Sequence, residues 1–305
     1  MNEATLVKRR PWLAALLSIL CTGLGHIYCG RIVVGLALFA MTMFFVPFAV
    51  YLLVFGYSTV LMFATIFLSL VSFGVSLYAV IASFLLARKI GNQYQLKDYN
   101  HPVVYGALLL IVGFCAPTSS AVFLRDNVIE AFYCPAKSML PNIIEGDRFL
   151  ADKRVYRDAD PDYGDVVVFH NPNNRKINYV KRVIGRPGDR IEIRRGVVLL
   201  NGKPLPQKPT NYSVMQTGEM VKGTELFEET NGERRYLILK DKTDPSKHDF
   251  QETLIPPGHV FVLGDNRDHS NDSRKFGFVP IGDLKGQAKL LYWPAARWTR
   301  IGKIR

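Results

Sequence analysis

Apolar and polar positions divide this chain of 305 residues into two unlike halves. From residue 12 to about residue 124, Leu, Val, Phe, Ala and Ile dominate. From Arg125 onward the chain is polar, with Gly, Pro and charge at the intervals expected of a β-rich soluble domain. Crossing a bilayer takes about 20 apolar residues, and the stretches 33–57, 58–87 and 102–124 each qualify. The stretch 12–30 is interrupted by Gly23, Gly25 and His26, and is expected to be re-entrant or interfacial. The basic groups Lys8-Arg9-Arg10 and Arg88-Lys89 with Lys97 belong on the cytoplasmic side. They share a side only when an even number of spans separates them, so four spans starting at residue 12 break the rule. Three spans satisfy it and export the C-terminal half; five shorter ones would do the same.

Short apolar runs mark the strands of the second half. Asp165–Phe169 reads as a buried strand, and Ile191–Ile193 and Val197–Leu200 as short ones, the latter closed by Asn201-Gly202, a tight-turn signal. His259–Leu263 is a further strand entered from Pro256-Pro257-Gly258. No long amphipathic helix interrupts this series, which predicts an antiparallel β-sheet domain over 125–202 and 256–305. The polar segment 203–255 reads as an inserted small β subdomain. The fold class is therefore mainly β and membrane-anchored, with N-terminal transmembrane helices in 1–124.

Charge and cysteines narrow the picture. The net charge of +12 sits partly beside the apolar segments, and no run of Lys and Arg interleaved with aromatics forms a nucleic-acid groove. The four cysteines show no CxxC or Cys/His spacing, so neither a disulfide framework nor a metal is expected. The spans 33–57, 58–87 and 102–124 contain no Asp or Glu, which fits anchors better than a transport path. The segment 23–35, Gly-Leu-Gly-His-Ile-Tyr-Cys-Gly-Arg-Ile-Val-Val-Gly, resembles a family of small two-span membrane domains with a Gly-x-Gly-His-x-Tyr-x-Gly pattern. That resemblance implies no established chemistry, and His26 is expected to pack rather than bind a ligand.

Three polar elements carry candidate chemistry. The first, Cys134–Pro141, places Ser138 and Met139 just after the last apolar segment. The second, Tyr179–Asp189, is a half-buried strand ending in a Pro-Gly turn. Alternation puts Tyr179, Lys181 and Val183 on one face and Val180, Arg182 and Ile184 on the other, so periodicity does not choose between Lys181 and Arg182. Chemistry favours Lys181 as a base, because burial can strip its proton whereas Arg stays charged. The third, Gly264–Pro280, is a polar loop after a strand without the spacing of a calcium loop. If extended, it places Ser270, Asp272 and Arg274 on one face, so that Asp272 and Arg274 pair.

In this order the elements Ser-Met-Leu-Pro, Gly-Asp-Val-Val-Val-Phe, Lys-Arg-Val-Ile-Gly-x-Pro-Gly-Asp and Gly-Asp-Asn-Arg-x-x-Ser-x-Asp-Ser-Arg resemble the bacterial type I signal peptidases, the leader peptidases of the S26 type, through residues 130–295. The resemblance implies a serine endopeptidase that needs no cofactor and removes signal peptides of exported preproteins after small residues. It implies Ser138 as nucleophile and Lys181 as general base, with Ser270 orienting the amine. Asp272 and Arg274 would hold the loop, and Met139 would lie at the substrate and membrane boundary. It further implies a multi-pass protein of the bacterial cytoplasmic (inner) membrane, with the catalytic domain on the outer side, working as a monomer near the secretion machinery. Ala136 departs from the pattern, because many relatives place there a Ser whose hydroxyl is the second oxyanion donor; Lys137 and Asn142 depart as well. The competing readings are a weak or inactive membrane assembly protein, a specialised pilin or conjugation peptidase, and a Ser-His-Asp hydrolase using His170, His259 or His269. A self-cleaving repressor would need a soluble DNA-binding N-terminus where this chain has apolar spans.

Overall fold

The structure, a computed structural model, describes residues 6–56, 59–110, 116–210, 223–242 and 249–304. Two compact units result, Met1–Leu124 and Arg125–Arg305. In the first, a two-residue strand β1 (Leu6–Val7) pairs antiparallel with β2 (Tyr94–Gln95). Helices α1 (Pro11–Leu20), α2 (Leu24–Tyr28), α3 (Ile32–Gly56), α4 (Thr59–Ile90), α5 (Pro102–Leu108) and α6 (Ala116–Asn127) supply the rest. The stretch expected to be re-entrant or interfacial is the broken pair α1–α2, packed on α4. Ser18 Oγ donates to Ser83 Oγ at 3.0 Å, and Ser83 Oγ to the Ala14 carbonyl at 3.2 Å. A Cβ on Gly25 would meet that same Ala14 carbonyl at 2.1 Å, so the second glycine of the Gly-x-Gly-His pattern serves close packing. His26 is buried within α2.

By length and composition one described helix, Val60–Ile90, is apolar and long enough to cross a membrane, while Pro11–Leu20 and Ile32–Phe45 are shorter apolar helices. Of the expected span 102–124, residues 111–115 lie outside the described residues, as do 57 and 58 at the junction of the two preceding spans.

The second unit is mainly antiparallel β, as the strand pattern predicts. Its largest sheet contains β3 (Ile129–Tyr133), β4 (Arg148–Asp152), β5 (Val166–Asn171) and β6 (Asn174–Gly185). A second sheet is built on β7 (Arg190–Arg194), β8 (Val197–Leu200) and β9 (Lys203–Pro204), and a third on β10 (Gln207–Pro209), β11 (Thr224–Asn231) and β12 (Arg234–Asp241). Strand β13 (Phe250–Leu254) joins the second sheet beside β7; β14 (His259–Leu263) joins the first beside β6. The short helix α7 (Ser273–Phe276) follows, then β15 (Val279–Pro280), β16 (Leu284–Trp293) and β17 (Gly302–Lys303), all three in the first sheet or at its edge.

The first sheet is buried on both faces, which explains the unbroken apolar run of β5. Val166 and Val168 pack with Phe149, Ile143 and Met139, whereas Val167 and Phe169 pack with Val183, Val260 and Val262. Among the described residues of 203–255, Tyr236, Ile238 and Ile255 share one cluster with Ile184, Ile191, Phe261 and Leu263. The segment is thus welded to the back of β6 and β14, and this positions the loop that follows β14.

Candidate active site

Three elements converge at the edge of this core. After β3 the chain makes a single 3-10 turn over Lys137–Met139. Asn266 grips that turn twice, its backbone N–H donating to the Ser138 carbonyl and its Nδ2 to the Lys137 carbonyl, each at 3.1 Å. Met139 anchors the turn from beneath. This residue, expected at a substrate and membrane boundary, is fully buried with Cys134, Ile143 and Phe149, where a flexible apolar side chain fills the gap below the Ser138 backbone.

Lys181 rises from β6, opposite Val167 of β5. Its Nζ lies 2.8 Å from Ser138 Oγ and donates to the Val180 carbonyl at 2.8 Å. The side chain is 4% exposed, and this burial pushes its ammonium down from 10.5 to about 8, with the Asp272 carboxylate pulling the other way. The neutral amine is therefore accessible near physiological pH, and its partner is a serine hydroxyl.

The loop after β14 closes the site. Gly264 lies between Ser138 and Ser270: a Cβ there would meet Ser270 Oγ at 2.3 Å and the Ser138 carbonyl at 2.5 Å. Only the absence of a side chain lets these two serines approach. Ser270 is buried, and among the described residues its hydroxyl bonds neither Lys181 nor Ser138; its influence falls on the Asp272 carboxylate, which it helps to hold charged. Asp272 and Arg274 form the expected pair, Nε to Oδ1 and Nη2 to Oδ2, both 2.8 Å. They do so through a helical turn rather than an extended segment, because Asp272 caps α7 and accepts the Arg274 N–H. Burial works against the Asp272 charge, but the Arg274 fork and the Gly264 N–H hold its carboxyl below the usual range.

The two basic residues of the strand end differently, yet both are buried. Arg182 turns to the opposite face and grips Asp265 with Nε and Nη2, both at 2.7 Å, while Tyr236 stacks 4.0 Å from its guanidinium. Asn142 donates to the same Asp265 carboxylate at 2.7 Å. Behind this pair, Arg267 binds Glu229, and Tyr236 Oη donates to Glu229 at 2.9 Å. Strand β12 thus holds the loop from the rear, through Leu239 N–H to the Asp265 carbonyl and Arg267 N–H to the Leu239 carbonyl, both 2.9 Å. Sequence reasoning missed Gly264, Arg182 and Asp265 as site-builders. Their only signal was adjacency to Lys181 and Ser270 within the two motifs.

Among the described residues no histidine bonds to Ser138. His269 faces Asp241 at 3.1 Å, whereas His170 and His259 bond to backbone carbonyls. Ala136 brings no side-chain donor to the turn. Among the described residues no group of three His, Cys, Asp or Glu is placed to hold a metal. The arrangement is that of a hydrolytic site in which a buried amine, in place of imidazole, faces a serine hydroxyl.

Comparison with known proteins agrees with this class. The family described as signal peptidase, peptidase S26, matches residues 105–293, and the chain belongs to that family. It is 30% identical over 222 residues to the probable signal peptidase I-1 of Synechocystis, a match spanning 70% of this chain and 92% of the relative. Signal peptidase I of Bacillus caldolyticus is 35% identical over 174 residues, with 56% and 83% covered, and that of Aquifex aeolicus 32% over 206 residues, with 57% and 79% covered. A crystal structure of a signal peptidase I from Enterococcus faecalis shares 29% identity, covering 42% of this chain and 97% of its own, at a TM-score of 0.27.

Proposed function

We propose that this chain removes signal peptides from exported preproteins through Ser138 and Lys181. The 2.8 Å contact between the buried Lys181 amine and Ser138 Oγ carries this reading. The neutral amine takes the Ser138 proton as Oγ adds to the scissile carbonyl, and the resulting ammonium returns it to the leaving amine. An acyl-enzyme on Ser138 remains. Water, deprotonated by the same amine, then releases the signal peptide and frees Ser138. The Ser138 N–H, early in its 3-10 turn, stabilises the oxyanion. Ser270 orients the amine as Ser138 gives it up, and the Asp272–Arg274 pair holds the loop that carries Ser270. Cleavage of a preprotein by the detergent-purified chain, with the new N-terminus sequenced, tests this. A cut after a small residue is expected, and intact preprotein throughout would sink the assignment.

The pH dependence follows from the amine. Below about 8 Lys181 is mostly protonated and cannot accept a proton. The cleavage rate should therefore climb about tenfold per pH unit up to that point and level off above it. A rate independent of pH between 6 and 9, about three decades of proton activity, would rule out Lys181 as base.

The apolar helices anchor the chain in the bacterial cytoplasmic membrane with three spans, 33–57, 58–87 and 102–124, and the β unit on the outer side. At the β unit's surface Trp293 and Trp298 stack edge to face, 5.0 Å apart and 53% and 61% exposed, with Arg297 beside them. Aromatic rings beside a cation suit the headgroup layer. Anionic vesicles should shift and intensify Trp emission, and Trp293→Ala with Trp298→Ala should remove most of that change. An emission spectrum indifferent to vesicles would contradict the docking.

A further inference from the structure

Arg9 sits inside the N-terminal unit, 4% exposed, with its guanidinium 4.2 Å from the centre of the Tyr28 ring and 3.9 Å from that of Tyr94. The backbone is pinned there, Arg9 N–H donating to the Gly91 carbonyl at 2.8 Å. Both rings are held in place: Tyr94 Oη donates to Asn100 at 2.6 Å, and Tyr28 Oη accepts the Arg10 N–H at 3.2 Å. Rings cover the faces of a guanidinium, but its donors lie in the plane. Arg9 Nε and Nη2 are both buried and both without a hydrogen-bond partner. These two nitrogens form one edge of the fork, the edge that takes two oxygens of a carboxylate or phosphate side by side.

Among the described residues no carboxylate fills that role. Arg9 forms no ion pair among the described residues, and residues 1–124 contain only Glu3 and Asp98 against Lys8, Arg9, Arg10, Arg31, Arg88, Lys89 and Lys97. The other six cations are exposed. A guanidinium does not shed its proton to escape burial, so a buried, uncompensated Arg is costly unless an anion joins it. Basic pockets at the ends of membrane helices bind lipid headgroups by this logic.

We infer that the Tyr28–Arg9–Tyr94 sandwich is a binding site for the phosphate of an anionic phospholipid, with the Nε/Nη2 edge taking two phosphate oxygens. The site rests on the N-terminal unit lying in a bilayer. Flotation of the protein with phosphatidylcholine vesicles tests that placement separately, since it does not need Arg9.

The deciding experiment titrates delipidated full-length protein in detergent with short-chain phosphatidylglycerol, short-chain phosphatidylcholine and inorganic phosphate, and counts adducts by native mass spectrometry. One saturable phosphatidylglycerol adduct per chain is expected. Arg9→Gln should weaken it at least about tenfold, while Arg10→Gln, an exposed control, should change it by less than about threefold. Equal binding by wild type and Arg9→Gln would overturn the site. Equal binding of phosphatidylcholine would overturn the demand for an anionic headgroup. An Arg9-dependent phosphate adduct that phosphatidylglycerol does not displace would overturn the lipid assignment. Should Arg9→Gln fail to fold, phenylglyoxal labelling of the wild type decides: phosphatidylglycerol should slow modification of Arg9, and an unchanged rate would overturn the site.

Discussion

Replacing Lys181 with Met is expected to abolish preprotein cleavage while leaving the protein folded. Ser138→Ala should do the same, each losing at least about 10⁴-fold in kcat/KM. The two losses should not add in the double variant, because the hydroxyl and the amine act as one unit across their 2.8 Å contact. Stability distinguishes a catalytic base from a structural lysine. The folded state holds the Lys181 ammonium at about 8 against 10.5 in the open chain, so at neutral pH the unfolded chain binds its proton more tightly. The sign is that of a destabilising group: stability is depressed below pH 8 and recovers as pH rises from 8 towards 10.5. Met fills the same volume without a charge, so Lys181→Met should unfold no more easily at pH 7 and could gain up to about 3 kcal/mol. Chemical denaturation beside the cleavage assay checks both. Activity surviving Lys181→Met, or lost only with the fold, would remove the amine from the mechanism.

The second large effect lies behind the site. Asp265→Ala strands Arg182, whose side chain is wholly buried and whose Nε and Nη2 both bond that carboxylate. Breaking such a pair from one side costs about 3–5 kcal/mol. The loss should be visible as a lowered denaturation midpoint with unchanged slope. Pairing Arg182→Met with Asp265→Leu should recover most of it, because an apolar pair of similar volume carries no desolvation penalty. Activity is not expected to recover in parallel. Gly264 and Asn266 flank Asp265 and touch Ser270 and the Ser138 turn, so their placement depends on the polar network. An Asp265→Ala protein as stable as wild type would show the pair to be dispensable.

Much of this site was legible before the fold. Ser138, Lys181 and the Ser270–Arg274 loop stand in sequence order as recognisable motifs, and residue chemistry favoured Lys181 over Arg182 as a base. Strand positions were legible where apolar runs are bounded by turn formers, as at Val166–Phe169 and at Val197–Leu200 before Asn201-Gly202. Less legible was the burial of neighbours. Alternation assigns one of Lys181 and Arg182 to a core face and the other to solvent, yet both are buried, because the sheet is covered on two sides. The segment 203–255 reads from its polarity as an inserted small β subdomain, and among its described residues Tyr236, Ile238 and Ile255 pack into a core shared with Ile184, Ile191 and Phe261. The complete burial of Met139 beside the serine was not legible either, because it depends on strands packed from elsewhere in the chain.

By itself the sequence determined the β class of the second unit, the apolar character of the first, and which side chains can do acid–base and nucleophilic work. Those properties are local: periodicity, turn chemistry and the intrinsic proton affinity of each side chain. Only the tertiary structure decided that Lys181 Nζ meets Ser138 Oγ across 43 positions of chain, that Gly264 leaves room for two serines, and that Arg182 spends its charge on Asp265. Those are distances and dielectric environments. They arise when strands far apart in sequence are packed against one another, and burial among them lowers the proton affinity of an ordinary lysine.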